Sequence, residues 1–308
     1  MGSVIRFSLP VKGPFSMESA RTLQCGCMRA SRTCSVEGAV RLAFPLDGTF
    51  EIVGAKIEQK GGELWVEAVG TEDQATLSAQ LARILAVDHD GEQFASIFRN
   101  EPALARLDQV GFRPIVFFSP YVSAGWHILS HRTRMAHAAV VQSRLAEAAG
   151  DVVEIDGARL PSFPRPETFL KMNGFAGIST EKWERLRGIA VAALEGKLDR
   201  KRLLSMRREE AMIDLMQLRG VGKFIAEAIL IRGCGPADML PTDLTMMKSG
   251  VQKVYGLDAP PSDAEVIRIA EGWKPFRTWM TVYMVKESFR EPRARYSPRA
   301  NFKSASAR

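Results

Sequence analysis

Short alternating segments and one helical segment make up the first ninety residues. Three segments alternate apolar and polar residues, as strands with one buried face do. They are Val40–Phe44, Phe50–Ile57 and Leu64–Val69. Asp-Gly and Gly-Gly pairs between them favour tight turns. Over Thr71–Val87 the apolar spacing becomes helical, with Thr71 as a candidate N-cap, so the pattern predicts a strand-rich module with a packed helix.

From about residue 90 onward, apolar residues recur mainly at helical spacing. The predicted helices are Glu92–Phe98, Pro102–Gln109, a long stretch over Tyr121–Ala149, one capped by Thr180, Glu209–Leu218, Lys223–Arg232, Asp263–Glu271 and Trp279–Glu287. Gly233 is predicted to end the sixth of these as a left-handed C-cap. The chain is therefore predicted to be α+β, with an N-terminal sheet and helix module over 1–89 and a helical region over 90–290.

Charge and apolar content narrow the class of protein. The 308 residues carry a formal net charge of +7, which favours a polyanionic partner, nucleic acid first. The end of the chain, 291–308, is rich in basic residues without apolar periodicity and predicts a disordered tail. No run of eighteen apolar residues is present, and the start does not resemble a signal peptide. We expect a cytoplasmic protein without membrane contact, associated with the nucleoid if the source is bacterial.

The four cysteines do not have the spacing of a zinc site. Cys25, Cys27 and Cys34 lie close together, whereas Cys234 is far away along the chain. Thiolate zinc sites usually contain C-x2-C pairs, so free thiols are the favoured interpretation. A metal or redox site near Cys25 and Cys27 is the alternative.

A glycine hairpin joins two predicted helices at Leu218–Lys223. Gly220 and Gly222 permit positive φ and leave backbone N–H groups uncovered, while Val221 is expected to pack between the helices. The free amides and the positive end of the second helix favour a phosphate, and Lys223 adds a full charge. The alternative is a plain helix–helix turn.

About twenty residues past the hairpin, Asp243 stands where a loop becomes a helix. It follows Pro241 and Thr242 and precedes apolar residues at helical spacing. An aspartate at this point is often only an N-cap. The same carboxylate, if it lies across a cleft from the hairpin, could instead stabilise developing positive charge on a bound group.

The hairpin followed by a Pro-x-Asp helix start resembles the helix-hairpin-helix DNA glycosylase superfamily, and most closely its 3-methyladenine DNA glycosylase II branch. Three further segments are similar to that branch: Trp126–His131, Ala192–Gly196 and Gly272–Arg277. The resemblance extends from about residue 90 to 289. It implies two all-α helical subdomains flanking a cleft.

The resemblance also implies a function and a set of site residues. The expected activity is excision of alkylated purines, such as 3-methyladenine and 7-methylguanine, from double-stranded DNA in base excision repair, after the nucleotide is flipped out. Asp243 matches the catalytic aspartate, and we assign Asp238 a structural role. Residues expected to contact DNA are Gly220, Val221, Gly222, Lys223 and Arg132. Residues expected to line the base pocket are Phe224, Trp126, His131 and Tyr283.

Two departures from the family pattern change what the resemblance implies. Phe224 stands where bifunctional relatives carry a nucleophilic lysine, so we expect no lyase activity and a monofunctional enzyme. His131 and Arg132 replace a glutamine and an apolar wedge, which keeps open a glycosylase for another purine lesion, such as hypoxanthine. A non-catalytic DNA-binding protein is the second alternative.

The sequence and the resemblance also bear on cofactors, metal ions and oligomeric state. No cysteine follows Cys234, so the four-cysteine iron–sulfur cluster of the endonuclease III branch is not expected. No side-chain metal site is expected either, although carbonyls at the hairpin could hold a monovalent cation, as in relatives. We expect a monomer.

Overall fold

An antiparallel sheet forms the N-terminal part of the chain in the computed structural model, which describes residues 4–18, 35–36, 39–107 and 111–290. The strands are β1 (Val4–Pro10), β2 (Ser35–Val36), β3 (Ala39–Pro45), β4 (Ile52–Lys60) and β5 (Glu63–Val69). Their spatial order is β1-β5-β4-β3-β2, and each neighbouring pair is antiparallel. The three strands expected from the alternating pattern are present as β3, β4 and β5, and β1 and β2 are additional strands.

One face of this sheet is buried beneath a helix. In β5, Leu64, Val66 and Ala68 are buried while the residues between them are more exposed, which is the period of two that a half-buried strand requires. Helix α1 (Gln74–Ile84) belongs to the same apolar core. Asp73, not Thr71, is its N-cap, and the Asp73 carboxylate accepts a hydrogen bond from the Thr76 N–H.

A short hairpin that the apolar pattern did not predict covers part of the other face. It consists of β6 (Val152–Ile155) and β7 (Ala158–Pro161), which pair across Asp156-Gly157. Both turn residues have positive φ. The close approach of Val153 to β4 favours a glycine at position 54, because a Cβ on Gly54 would make a tight contact of 3.0 Å with the Val153 methyl groups.

The other regular elements of the described chain are helices, as expected. The helices are α2 (Gly91–Asn100), α3 (Pro120–Ser130), α4 (Met135–Ala149), α5 (Pro166–Lys171), α6 (Thr180–Leu194), α7 (Arg200–Ser205), α8 (Arg208–Met216), α9 (Lys223–Ala228), a π-helical turn (Ile229–Gly233), α10 (Thr245–Tyr255), α11 (Asp263–Glu271) and α12 (Arg277–Ser288). An α+β fold with an N-terminal antiparallel sheet is thus confirmed.

Several predicted helix boundaries need correction. Residues 102–107 form turns instead of a helix, and 108–109 lie outside the described residues. The long stretch over Tyr121–Ala149 is two helices, broken at residues 131–134. Ser179 caps α6 in place of Thr180, and Gly235 takes the left-handed conformation expected of Gly233.

Two large apolar cores hold these elements together. The first runs from strand residues such as Phe44 and Val53 through α3, α6 and α9. The second joins α2 to α10, α11 and α12, and it contains Trp273, Trp279 and Tyr283. The proposed domain boundaries at 89 and 290 remain predictions. The tail at 291–308 and the three cysteines Cys25, Cys27 and Cys34 fall outside the described residues.

Candidate functional site

The two glycines of the hairpin differ: Gly220 adopts the left-handed conformation that favours glycine, whereas Gly222 has free space where a Cβ would lie. Gly220 adopts φ +89°, and a Cβ there would lie 2.6 Å from the Cδ of Arg185. Gly222 does not use positive φ, contrary to expectation: it is the N-cap of α9 with φ −87°, and a Cβ there would meet nothing within 4 Å. Val221 is buried, as predicted. The start of α9 is therefore reachable from solvent, with Lys223 exposed in its first turn.

Asp243 lies just before α10 and is held as a carboxylate. Its Oδ1 accepts a hydrogen bond from the Thr245 N–H at 2.9 Å. The backbone and side chain of Thr245 lower the pKa of Asp243 below its ordinary value, and the charges of Lys223 and Lys248 lower it further. The N–H of Thr242, the residue before Asp243, donates to Glu227 Oε1 on α9 at 2.8 Å, so the segment that carries the carboxylate lies beside the helix that follows the hairpin. Asp243 is exposed to solvent in the free protein.

Phe224 adds an apolar ring to this surface. The ring is 72% exposed, which is unusual for a phenylalanine. It makes an edge-on contact with the His127 ring at 5.9 Å between centroids, and His127 in turn contacts Phe117 at 5.3 Å. We call Phe117, His127 and Phe224 the aromatic cluster. The sequence pointed to Phe224 but not to the other two members.

His127 is neutral at neutral pH. Burial lowers its pKa, and the charge of Arg232 lowers it further, against the opposing effect of the hydrogen bond to Ser123. His127 Nδ1 lies 2.7 Å from the Ser123 carbonyl oxygen. Because that carbonyl can only accept, Nδ1 carries the proton and Nε2 is left as an acceptor.

Phe117 is placed by the helix that follows the hairpin. Its backbone N–H donates to the Arg232 carbonyl in the π-helical turn at 2.8 Å. The Arg232 guanidinium donates back to the Ile115 carbonyl at 3.1 Å. The π-helical turn that extends α9 therefore fixes the loop carrying Phe117.

His131 and Arg132 lie on the exposed turn between α3 and α4. Arg132 has φ +51°, a conformation that non-glycine residues rarely adopt. The Lys182 ammonium supports the turn from α6 by donating to the Leu129 carbonyl at 2.9 Å and the Thr133 hydroxyl at 2.6 Å. Arg132, predicted to contact DNA, and His131, predicted to line the base pocket, are both exposed to solvent.

Two predicted pocket residues are not available to a ligand in the free protein. Trp126 is 2% exposed and packs in the first core. Tyr283 is fully buried in the second core, edge-on against Phe98 and Phe112. Both rings pack in a core of the free protein, and their assignment to the base pocket remains a prediction.

Asp238 links the loop before Asp243 to α12. The Arg277 guanidinium donates to both carboxylate oxygens, at 2.8 and 3.0 Å. Burial raises the pKa of Asp238, but the hydrogen bonds from Arg277 outweigh it and lower the pKa overall. These contacts are the structural role expected for this residue.

Two features are absent from the part of the chain that is described. Within it, no three or more histidine, cysteine, aspartate or glutamate side chains are grouped to hold a metal ion. None of its helices has the length and apolarity to cross a bilayer.

Known proteins with similar sequences include a DNA-3-methyladenine glycosylase from Bacillus subtilis. It is 24% identical over 204 residues, which span 64% of this chain and 67% of the relative. No family model matches the chain.

Solved structures share the fold over nearly all of the chain. The 3-methyladenine DNA-glycosylase from Archaeoglobus fulgidus superposes with a TM-score of 0.73 and 21% identity, covering 92% of this chain and 98% of that one. The 8-oxoguanine glycosylase/lyase from Clostridium acetobutylicum superposes with a TM-score of 0.59 and 14% identity, covering 94% and 98%. In sequence and in fold, this chain is thus similar to DNA glycosylases, and its sequence relatives carry the name of the 3-methyladenine glycosylases.

Proposed function

We propose that this chain is a monofunctional DNA glycosylase that excises alkylated purines from double-stranded DNA. The observation that carries the proposal is that the segment of the ionised Asp243 is hydrogen-bonded to α9, the helix that begins with Lys223 and the exposed Phe224. A carboxylate, a cationic anchor and an apolar ring are the three groups that this reaction requires on one surface.

Asp243 would act on the sugar. Cleaving the N-glycosidic bond builds positive charge on the deoxyribose, and a nearby carboxylate stabilises that charge once DNA has displaced water. The lowered pKa keeps Asp243 charged at neutral pH. Alkylation at N3 or N7 makes the purine a cationic leaving group, so the reaction does not depend on a dedicated general acid.

The aromatic cluster would receive the base. A flipped, electron-poor purine is attracted to an aromatic face, and Phe224 offers such a face to solvent. A neutral His127 suits a cationic base because it adds no repelling charge. Lys223 and the open start of α9 would hold the backbone phosphates.

The absence of lyase activity is part of the proposal. Phe224 occupies the position of the nucleophilic lysine in bifunctional relatives and cannot form a Schiff base. Lys223, the neighbouring amine, would project about 100° away around the helix.

The test is release of 7-methylguanine from a duplex carrying one such base, with strand cleavage read with and without alkali. Release that needs alkali for strand cleavage supports the proposal. Strand cleavage without alkali would contradict the monofunctional assignment. Release confined to a hypoxanthine duplex would favour the other-lesion alternative, and tight binding without any release would favour a non-catalytic DNA-binding protein.

A further inference from the structure

Glu227 is a buried carboxylate on the inner face of α9, four residues after Lys223. Its residue is 8% exposed, although charged side chains are seldom buried without a purpose or a partner. Neither the hairpin nor the aromatic cluster uses it. Its partners therefore indicate what it does.

Glu227 has two partners: one lies in the loop that precedes α10, and the other contacts that loop. Glu227 Oε1 accepts a hydrogen bond from the Thr242 N–H at 2.8 Å, and Thr242 is the residue before Asp243. The same oxygen forms an ion pair with the Arg208 guanidinium from α8. Arg208 also donates to the Leu240 carbonyl at 2.6 Å.

These contacts attach the loop at two backbone points to the two helices of the hairpin. Leu240 is held through Arg208 on α8, and Thr242 is held through Glu227 on α9. A buried ion pair is a weak source of stability, since apolar residues of similar size often serve as well. The ion pair can instead fix the position of the loop, because hydrogen bonds to backbone groups are directional and apolar packing is not.

We propose that Glu227 and Arg208 are positioning residues that set Asp243 against the hairpin. The proposal rests on the catalytic role proposed for Asp243. Neither residue touches substrate: each acts through the backbone on either side of Pro241. The hairpin would thus fix both the DNA phosphate contacts and the distance from them to the carboxylate.

The first experiment compares Glu227→Ala, Glu227→Gln and Arg208→Ala in single-turnover release of 7-methylguanine. A small displacement of a reacting group costs up to about 100-fold in rate, so we expect Glu227→Ala to lose about 10- to 100-fold with duplex affinity changed by less than about threefold. Glu227→Gln retains an acceptor oxygen for the Thr242 N–H and should recover most of the rate. Asp214→Ala is the matched control, because it removes the neighbouring Arg202–Asp214 pair of α8 and should leave release unchanged.

The second experiment reads the position of Asp243 without substrate. Carboxyl NMR titration and amide hydrogen exchange are measured on the free wild-type and variant proteins. If the Thr242 anchor is lost, the Thr245 hydrogen bond should weaken, so the pKa of Asp243 should rise toward its ordinary 3.8 and the Thr242 and Thr245 amides should exchange faster. Asp214→Ala should show neither change.

The two readouts separate this proposal from the proposed function. An unchanged Asp243 titration and unchanged amide exchange in Glu227→Ala would overturn the positioning role, whether or not any base is released. A joint fall in melting temperature, duplex affinity and release would overturn it as well, because that outcome describes a purely structural residue. If the wild-type protein releases no base but Glu227→Ala shows the expected NMR changes, the result would contradict the glycosylase activity and support the positioning.

Discussion

Phe224 is an exposed ring with no core to support, which makes it a clean probe of base stacking. Stacking on an aromatic side chain contributes about 1–3 kcal/mol per base, so Phe224→Ala should weaken binding and release of the alkylated base by about 10-fold or more. Single-turnover release and lesion-duplex affinity measure this effect. Phe289→Ala is the matched control, since Phe289 is 75% exposed at the end of α12. Equal losses in the two variants would contradict the stacking role.

His127 connects the aromatic cluster to the pH dependence of stability. Its pKa is lowered in the folded protein from the ordinary 6.5, so below about pH 6.5 the unfolded chain takes up a proton that the native chain does not. The contribution of His127 to the free energy of unfolding is therefore fully present above about pH 6.5 and decreases as the pH falls from there to the folded pKa. His127→Gln should reduce the loss of unfolding free energy between pH 7 and pH 5, as measured by urea denaturation. His137→Gln, at an exposed histidine of α4, should keep the wild-type dependence; if both variants behave alike, burial of His127 is not the cause.

The hairpin between α8 and α9 depends on one glycine for its shape and leaves the other free. Gly220→Ala places a Cβ 2.6 Å from Arg185 in a conformation with φ +89°, so it should destabilise the fold by about 1–3 kcal/mol. Gly222→Ala meets open space at φ −87° and should change stability by only a few tenths of a kcal/mol, because the poorer N-cap that alanine makes is offset by the smaller conformational entropy of the unfolded chain. Thermal unfolding of both variants checks this difference. Equal destabilisation would show that the two glycines share one structural role.

Helices and strands with regular apolar spacing could be predicted from the sequence, and so could the glycine hairpin at Leu218–Lys223. The β6–β7 hairpin was missed even though an Asp-Gly pair stands at its turn, because its strands are only four residues long. The break between α3 and α4 was missed because apolar residues continue on both sides of it. A Lys182 side chain from a distant helix supports that turn, and local patterns carry no such information.

The site was predictable in its chain segments but not in its contacts. Asp243, Lys223 and Phe224 follow from local motifs. The burial of Trp126 and Tyr283 depends on which core each element joins, which spacing alone does not decide. His127 was quoted as part of a motif without a role, because only the fold brings it against Phe224.

A buried arginine, Arg113, adds a polar link between the sheet and the helices to their shared apolar core. The Arg113 guanidinium donates to the Ala86 carbonyl at 2.7 Å and the His89 carbonyl at 2.8 Å, and also to Lys12 and Pro14 beyond β1. Burial lowers the pKa of Arg113 to about 10, so the side chain is still charged at neutral pH. The segment after β1 is thereby tied to the start of the helical region.

Arg113→Met should destabilise the folded protein by about 3–5 kcal/mol, because it leaves several buried carbonyls without a donor. Urea denaturation gives the unfolding free energy. Arg99→Met is the control: the Arg99–Glu92 pair is exposed, and its loss should cost about 0–1 kcal/mol. If Arg113→Met unfolds at nearly wild-type denaturant concentration, the segment is not held through this side chain.

The most direct test of the proposed activity compares Asp243→Asn with Asp258→Asn, an exposed aspartate on the loop after α10. Both changes remove one negative charge and little volume. Asp243→Asn should reduce single-turnover release of 7-methylguanine by about 1,000-fold or more while duplex binding and melting temperature stay near wild type, since the lost interaction forms mainly in the transition state. Asp258→Asn should release base at the wild-type rate. Asp243→Asn protein that still releases base at the wild-type rate would contradict the account.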